Sequence, residues 1–279
     1  MRNIIKADLY RIFRGKGVYI VLIILVALVI LMATTGGAIT TGVDYQSTVI
    51  MDEMNSPEMG NMNPSELTEL FFVKPTGAQA PFRAMETTDS ILYLILPLLI
   101  FIAVVDFSTG SAKNILASGI SRAKYYSAKL ILSGLFCTLL FAFYVVLFTI
   151  TATTIRGFGG DFNAEFIVSV FETFLPQLYL CLAATCVGTF FIFLLRSGAF
   201  VGVYIAYLLV PSILIIVLTL VDDWFKNLFD YELVILIGKA AFPDAMADGG
   251  LIKAILVGTV YLFAAVIGGY AIFRKAEVK

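Results

Sequence analysis
The chain contains no histidine. That removes the side chain most used as a general base and as a metal ligand. It has one tryptophan and three cysteines, Cys137, Cys181 and Cys186, all within apolar runs and none in a C-x-x-C pair. They read as small, soft packing residues, not a redox or metal centre. Charged residues make up only 14% of the 279 residues, where soluble domains carry about 25%. The net charge of −1 gives no basic field for nucleic acid. No G-x-x-x-x-G-K-[ST] phosphate loop is present: in Gly15-Lys16-Gly17 no Ser or Thr follows the lysine. Neither G-x-S-x-G nor paired aspartates occur within the apolar runs, which argues against an intramembrane enzyme. No internal repeat is seen, so an inverted-repeat transporter has no support.

What is present is apolar sequence in long runs, 60% of the chain being hydrophobic. The runs predict an all-α polytopic membrane protein of six transmembrane helices over about 17–35, 89–107, 128–155, 166–195, 199–221 and 251–273. In the first, twelve Val, Ile and Leu residues favour insertion by roughly 4–7 kcal/mol. That run is too long for a cleavable signal. Asn63 in the first loop and Asn163 before the fourth span read as helix caps. Six spans place both termini on one side, and that side holds 13 of the 19 basic residues. The termini are therefore expected in the cytoplasm, with loops 36–88 and 222–250 outside. The second loop includes an apolar stretch, Leu233 to Ile237, too short to span and read as a short interfacial or re-entrant helix.

Two inner segments carry the mechanistic reading. In residues 1–16, Ile5, Leu9, Ile12 and Phe13 recur at helical spacing, with Arg2, Lys6, Arg11 and Arg14 on other faces. This is a basic amphipathic helix on the inner leaflet, either an elbow contacting a cytoplasmic partner or an anchor on membrane lipids; the charge pattern serves both. Residues 108–124 predict a short helix capped by Ser111, running through Leu116 or Ala117 and ended by Gly119, with Ser121 and Arg122 following. Such a helix suits a groove in a soluble domain, and an ordinary polar loop obeying the positive-inside rule remains the alternative. Asp106, at the edge of the second span, reads as a solvated helix end or as the anchor of that helix.

These pieces resemble the permease subunits of ABC transporters of the type-2 exporter class, in particular small permeases of Gram-positive bacteria linked to peptide or antimicrobial export and self-protection. The resemblance rests on Ile5-Lys6-Ala7-Asp8-Leu9-Tyr10-Arg11, on Asp106 to Gly110 with Lys113-Asn114-Ile115-Leu116, and on Ser118-Gly119-Ile120-Ser121-Arg122 followed by Tyr126 and Lys129. With the six-span layout it extends over essentially the whole chain, the middle piece being the most specific. Asp106 departs from the glutamate more usual there, and the first outer loop is longer than the family's minimal version.

The resemblance implies a single transmembrane domain in a bacterial cytoplasmic membrane, working as a dimer. Lys113, Asn114, Ile115 and Leu116, with Ser121 and Arg122, would form the coupling element seated on a separate ATP-binding subunit, and Asp106 would hold its base. This chain itself would bind no cofactor; ATP and Mg would sit in the partner. The path for an amphipathic or hydrophobic substrate would run along spans two and five, where Pro97 and Pro211 can kink helices and Tyr93, Tyr204 and Tyr207 are wall candidates. Interfacial tyrosine belts explain those residues almost as well. Two alternatives stay open: a non-transporting immunity or sensor protein, and a copper-related permease using Met51, Met54, Met59 and Met62.

Overall fold
The computed structural model describes residues 2–35, 75–243, 246–247 and 249–276. Asn63 and the four loop methionines lie outside the described residues. Ten α-helices appear among those described, and no strand. They are α1 Arg2–Arg14, α2 Lys16–Thr35, α3 Ala80–Glu86, α4 Asp89–Ser108, α5 Ser111–Ala117, α6 Arg122–Arg156, α7 Ala164–Leu195, α8 Phe200–Thr219, α9 Leu233–Lys239 and α10 Gly250–Lys275. Helices α2, α4, α6, α7, α8 and α10 are long and apolar enough to cross a membrane, giving an all-α polytopic membrane protein.

The bundle has two ends. At one, here called basal, α1, the α4–α6 connection and the C-terminal turn of α10 meet. At the distal end, Arg156 of α6 donates to the carbonyls of Ala33 and Pro75 at 2.5 and 2.9 Å, tying α2 to the segment before α3. The third span begins at Arg122, not near residue 128, because Ser121 caps it by accepting from the Lys124 N–H. At 35 residues this helix is about 52 Å long and overshoots a ~30 Å apolar layer. Asn163 caps α7 as its sequence predicts, accepting from the Phe166 N–H at 2.8 Å. Ser111 does not cap α5. Gly110 takes that position at φ +71, a conformation glycine adopts at least cost, and the Ser111 hydroxyl lies 2.8 Å from that of Thr109. Gly119 follows the end of α5 at φ +89.

The apolar stretch between the fifth and sixth spans forms α9, capped by Glu232, whose carboxylate accepts from the Ile235 N–H at 2.6 Å. Leu233 through Ile237 are all buried, so α9 is a plug against the bundle and not a lipid-facing element. Beneath it, fully buried Gln177 of α7 donates to Ile237 O and Met85 O at 2.9 and 2.7 Å, and Thr88 donates to it at 3.2 Å. One amide thus joins α3, α7 and α9. Pro176, next to it, does not break α7.

Elsewhere the helices close on small residues. A Cβ on Gly269 of α10 would lie 2.5 Å from the Tyr126 hydroxyl, and one on Gly258 2.8 Å from Leu180. A Cβ on Gly17 would overlap the Phe101 ring, which brings the start of α2 against α4. Outward faces are apolar: Ile252, Leu256, Val260, Phe263 and Ile267 of α10 are exposed, as are Val210, Leu214 and Val217 of α8. This is the surface a hydrocarbon layer accepts.

The span α4 is not a uniform helix. It is α-helical over Asp89–Leu99, π-helical over Ile100–Val104 and α-helical again over Val105–Ser108. Pro97 lies one turn before the π segment; it lacks the N–H that a regular ladder would use there.

Gln177→Leu removes three hydrogen bonds from the interior, including the one to the Ile237 carbonyl, while Met85 O keeps those from the Thr88 N–H and hydroxyl. Equilibrium unfolding of the purified chain in detergent should show a loss of about 1–3 kcal/mol.

Candidate functional site
At the basal end α1 turns the i, i+4, i+8 series Ile4, Asp8 and Ile12 toward the bundle. Ile5 and Leu9 are half-buried against the core, while Phe13 is exposed. The inward face is therefore rotated from the apolar stripe expected, and it includes an acid. Asp8 lies 2.7 Å from the Lys129 ammonium of α6 and 3.1 Å from the Arg11 guanidinium. Asp106, near the end of α4, meets the same two cations: Lys129 at 2.5 Å, and Arg11 in a direct ion pair. The Tyr125 hydroxyl donates to Asp106 at 2.8 Å, and the Lys129 ammonium sits 5.2 Å from the Tyr125 ring centre. Arg11 also donates to the Phe101 carbonyl, inside the π segment, at 2.9 Å.

Asp106 and Lys129 are 0% exposed. Two acids and two bases make the cluster formally neutral, which is the condition for holding charges out of water. Burial pushes the Asp8 carboxyl above its ordinary range, with Lys129 opposing the shift. Asp106 is thus not a solvated helix end. It is the hub that ties α1, α4 and α6 together one turn before α5 begins.

Helix α5 stands on a second layer, an aromatic one. Ala112 is fully buried, and Ile115 and Leu116 are half-buried against Tyr125, Tyr126, Phe193 and Phe273. The rings pack edge to face, Phe107 on Phe193 at 5.5 Å, Tyr126 on Phe193 at 4.8 Å and Phe193 on Phe273 at 4.9 Å between centres. They join the basal ends of α4, α6, α7 and α10. Above this layer Lys113 and Asn114 are exposed. Arg122 turns back into the chain, donating to Phe273 O, Arg274 O and Ala276 O at 2.9, 2.9 and 2.5 Å. A cation there satisfies the orphan carbonyls of the α10 C-terminus. Ser121 is occupied as the cap of α6. Of the expected outward-facing set, Lys113 and Asn114 present their side chains fully, Ile115 and Leu116 in part.

The tyrosines proposed for a pathway are set differently. Tyr204 is 0% exposed; its hydroxyl donates to Ala184 O at 3.3 Å and its ring stacks on Tyr207 at 6.2 Å. In this conformation it packs between α7 and α8. The Tyr207 hydroxyl is buried with no hydrogen-bond partner among the described residues. Tyr93 and Pro97 are half-buried on α4, and Pro211 sits within an unbroken α8. The cysteines are free, Cys137 and Cys181 buried and Cys186 half-buried. Among the described residues no group of three or more His, Cys, Asp or Glu could hold a metal ion.

Asp8, Tyr125 and Lys129 were not among the residues singled out for this site. Asp8 did carry a signal: it is the only acid in the first 16 residues, three before Arg11. No family model, curated protein or solved structure matches the chain.

Asp106→Asn leaves Lys129 buried against a single carboxylate. The expected loss is about 3–5 kcal/mol in detergent unfolding. Combining Asp106→Leu with Lys129→Met removes one charge of each sign and should recover most of that loss.

Proposed function
We propose that the chain is the membrane-spanning permease subunit of an ATP-driven exporter of the ABC class. It acts in a bacterial cytoplasmic membrane with both termini inside and works as a pair of permease copies. It passes an amphipathic or hydrophobic substrate, such as a peptide, toxin or antimicrobial, to the outside. ATP and Mg belong to a separate cytoplasmic ATP-binding subunit, since this chain has no phosphate loop.

The observation that carries this reading is the mounting of α5. A seven-residue helix presents Lys113 and Asn114 outward, while its rear side rests on rings drawn from four spans. A load applied to α5 by a soluble partner is transmitted to the basal ends of α6, α7 and α10 through packed side chains. The neutral ion cluster holds α1 and α4 in place beside them. Short helices docked in a groove are a recurrent way of joining chains. The resemblance of residues 106–122 to the coupling segment of type-2 exporters points the same way.

The test is purification of the tagged full-length chain from its own host, followed by identification of co-purifying phosphate-loop proteins and an ATPase assay. A soluble ATP-binding subunit should accompany it. Replacing Asn114, Ile115 and Leu116 together by alanine should weaken that association by about 10-fold or more, equivalent to 1.4 kcal/mol. Ile115 and Leu116 also pack within the chain, so the exposed Lys113→Glu is the companion variant and should weaken association without altering the thermal melt. Absence of any phosphate-loop partner, or association unchanged in both variants, overturns the proposal. A partner that binds without nucleotide-dependent substrate movement favours the immunity or sensor role instead.

A further inference from the structure
Phe13, in the last turn of α1, is 52% exposed although apolar. It forms one rim of a cavity of about 270 Å³ between α1, α2, α4 and α6. Val18 and Leu22 line it from α2, Leu98 from α4, and Leu139 and Phe143 from α6; every lining residue is apolar. Leu139 and Phe143 are themselves 52% and 41% exposed. The cavity therefore opens sideways, through a face that two spans turn to the hydrocarbon. With no donor or acceptor on its walls, it offers nothing to a polar ligand and suits a flexible hydrocarbon chain.

The chain between two of its lining residues, Phe13 and Val18, has a different chemistry. Gly15 separates α1 from α2, and Arg14 and Lys16 flank it, both exposed. Among the described residues neither is paired with a carboxylate. Arg14 is held in place by Tyr10, whose hydroxyl it meets at 2.8 Å and whose ring its guanidinium covers at 5.8 Å. The nearby acid, Asp8, points inward and is already engaged by Lys129. Two exposed cations thus sit in the chain between Phe13 and Val18, beside the apolar groove.

We infer that this groove binds one anionic phospholipid, an acyl chain lying between α2 and α6 and the phosphate held at Arg14 and Lys16. The apolar walls select the chain, and the cations select the charge of the headgroup. A lipid seated there contacts Phe13 on the same helix that supplies Asp8 and Arg11 to the buried ion cluster. It would therefore steady α1 against the bundle. The inference does not depend on the exporter reading, since it concerns only the chain and its bilayer.

The experiment uses the purified full-length chain, delipidated in detergent and titrated with phosphatidylglycerol or phosphatidylcholine of identical acyl chains, with retained lipid counted by native mass spectrometry. One phosphatidylglycerol should be retained about 10- to 30-fold more tightly than phosphatidylcholine, the preference two interfacial cations acting together give. Arg14→Gln with Lys16→Gln, both on exposed positions, should erase that preference and leave phosphatidylcholine binding unchanged. Leu139→Trp, which fills the open side of the groove, should abolish retention of both lipids. Equal retention of the two lipids by the unaltered chain, or no retention at all, overturns the inference. So does undiminished retention by folded Leu139→Trp. Should that variant fail to fold, the glutamine pair decides alone.

Discussion
A carboxylate taken out of water must bring its counter-charges with it, and the basal end of this protein is organised around that requirement. Asp106 is fully buried between Lys129 and Arg11, and Asp8 closes the set against the same two cations. Removing any one member leaves a net charge in the interior, so α1, α4 and α6 cannot separate independently. Apolar packing alone holds lipid-immersed helices together only weakly, because lipid tails are as apolar as leucine. The ion cluster supplies specificity where hydrophobicity cannot. It also sets where the α4–α6 connection emerges, and with it the position of α5.

Next to that fixed point lies a layer of a different character. The rings of Phe107, Tyr125, Tyr126, Phe193 and Phe273 carry no net charge and meet edge to face. They gather the ends of four spans under one short helix. Arg122 completes the arrangement by fastening the last turn of α10 to the first turn of α6. Displacement of α5 is thereby shared among several spans. Its exposed Lys113 and Asn114 carry a single cation.

The spans were legible in the sequence because runs of apolar residues answer directly to a hydrocarbon layer. Asn163 and the short helix at Leu233 were legible for local reasons, a cap and an apolar stretch. Other features were not. The start of α6 at Arg122 was hidden because Arg122 and Lys124 read as loop charge and Lys129 as a cation at the span's edge, whereas Lys129 is neutralised by residues 23 and 121 positions away. The facing of α1 was misread because an apolar side chain on a helix at the end of the bundle has two suitable destinations, lipid and protein. Hydropathy does not distinguish Ile5 from Ile4 in that choice; the position of Asp8 does, once its partners are known. Tyr204 shows the same ambiguity, since a tyrosine between helices and a tyrosine on a pathway look alike until the neighbours are in place.

The π segment at Ile100–Val104 has one further implication. A turn of that kind accommodates one residue beyond the α-helical count, and each residue of an α-helix advances about 100° around the axis. The lower part of α4 is consequently out of phase with its upper part by roughly that angle. Ile91, Ile95 and Leu98 can face the interior by one screw thread while Asp106 is aimed by another. The Phe101 carbonyl, within this dislocation, accepts from Arg11. A change in winding at this point would therefore rotate the carboxylate without moving the distal half of the span.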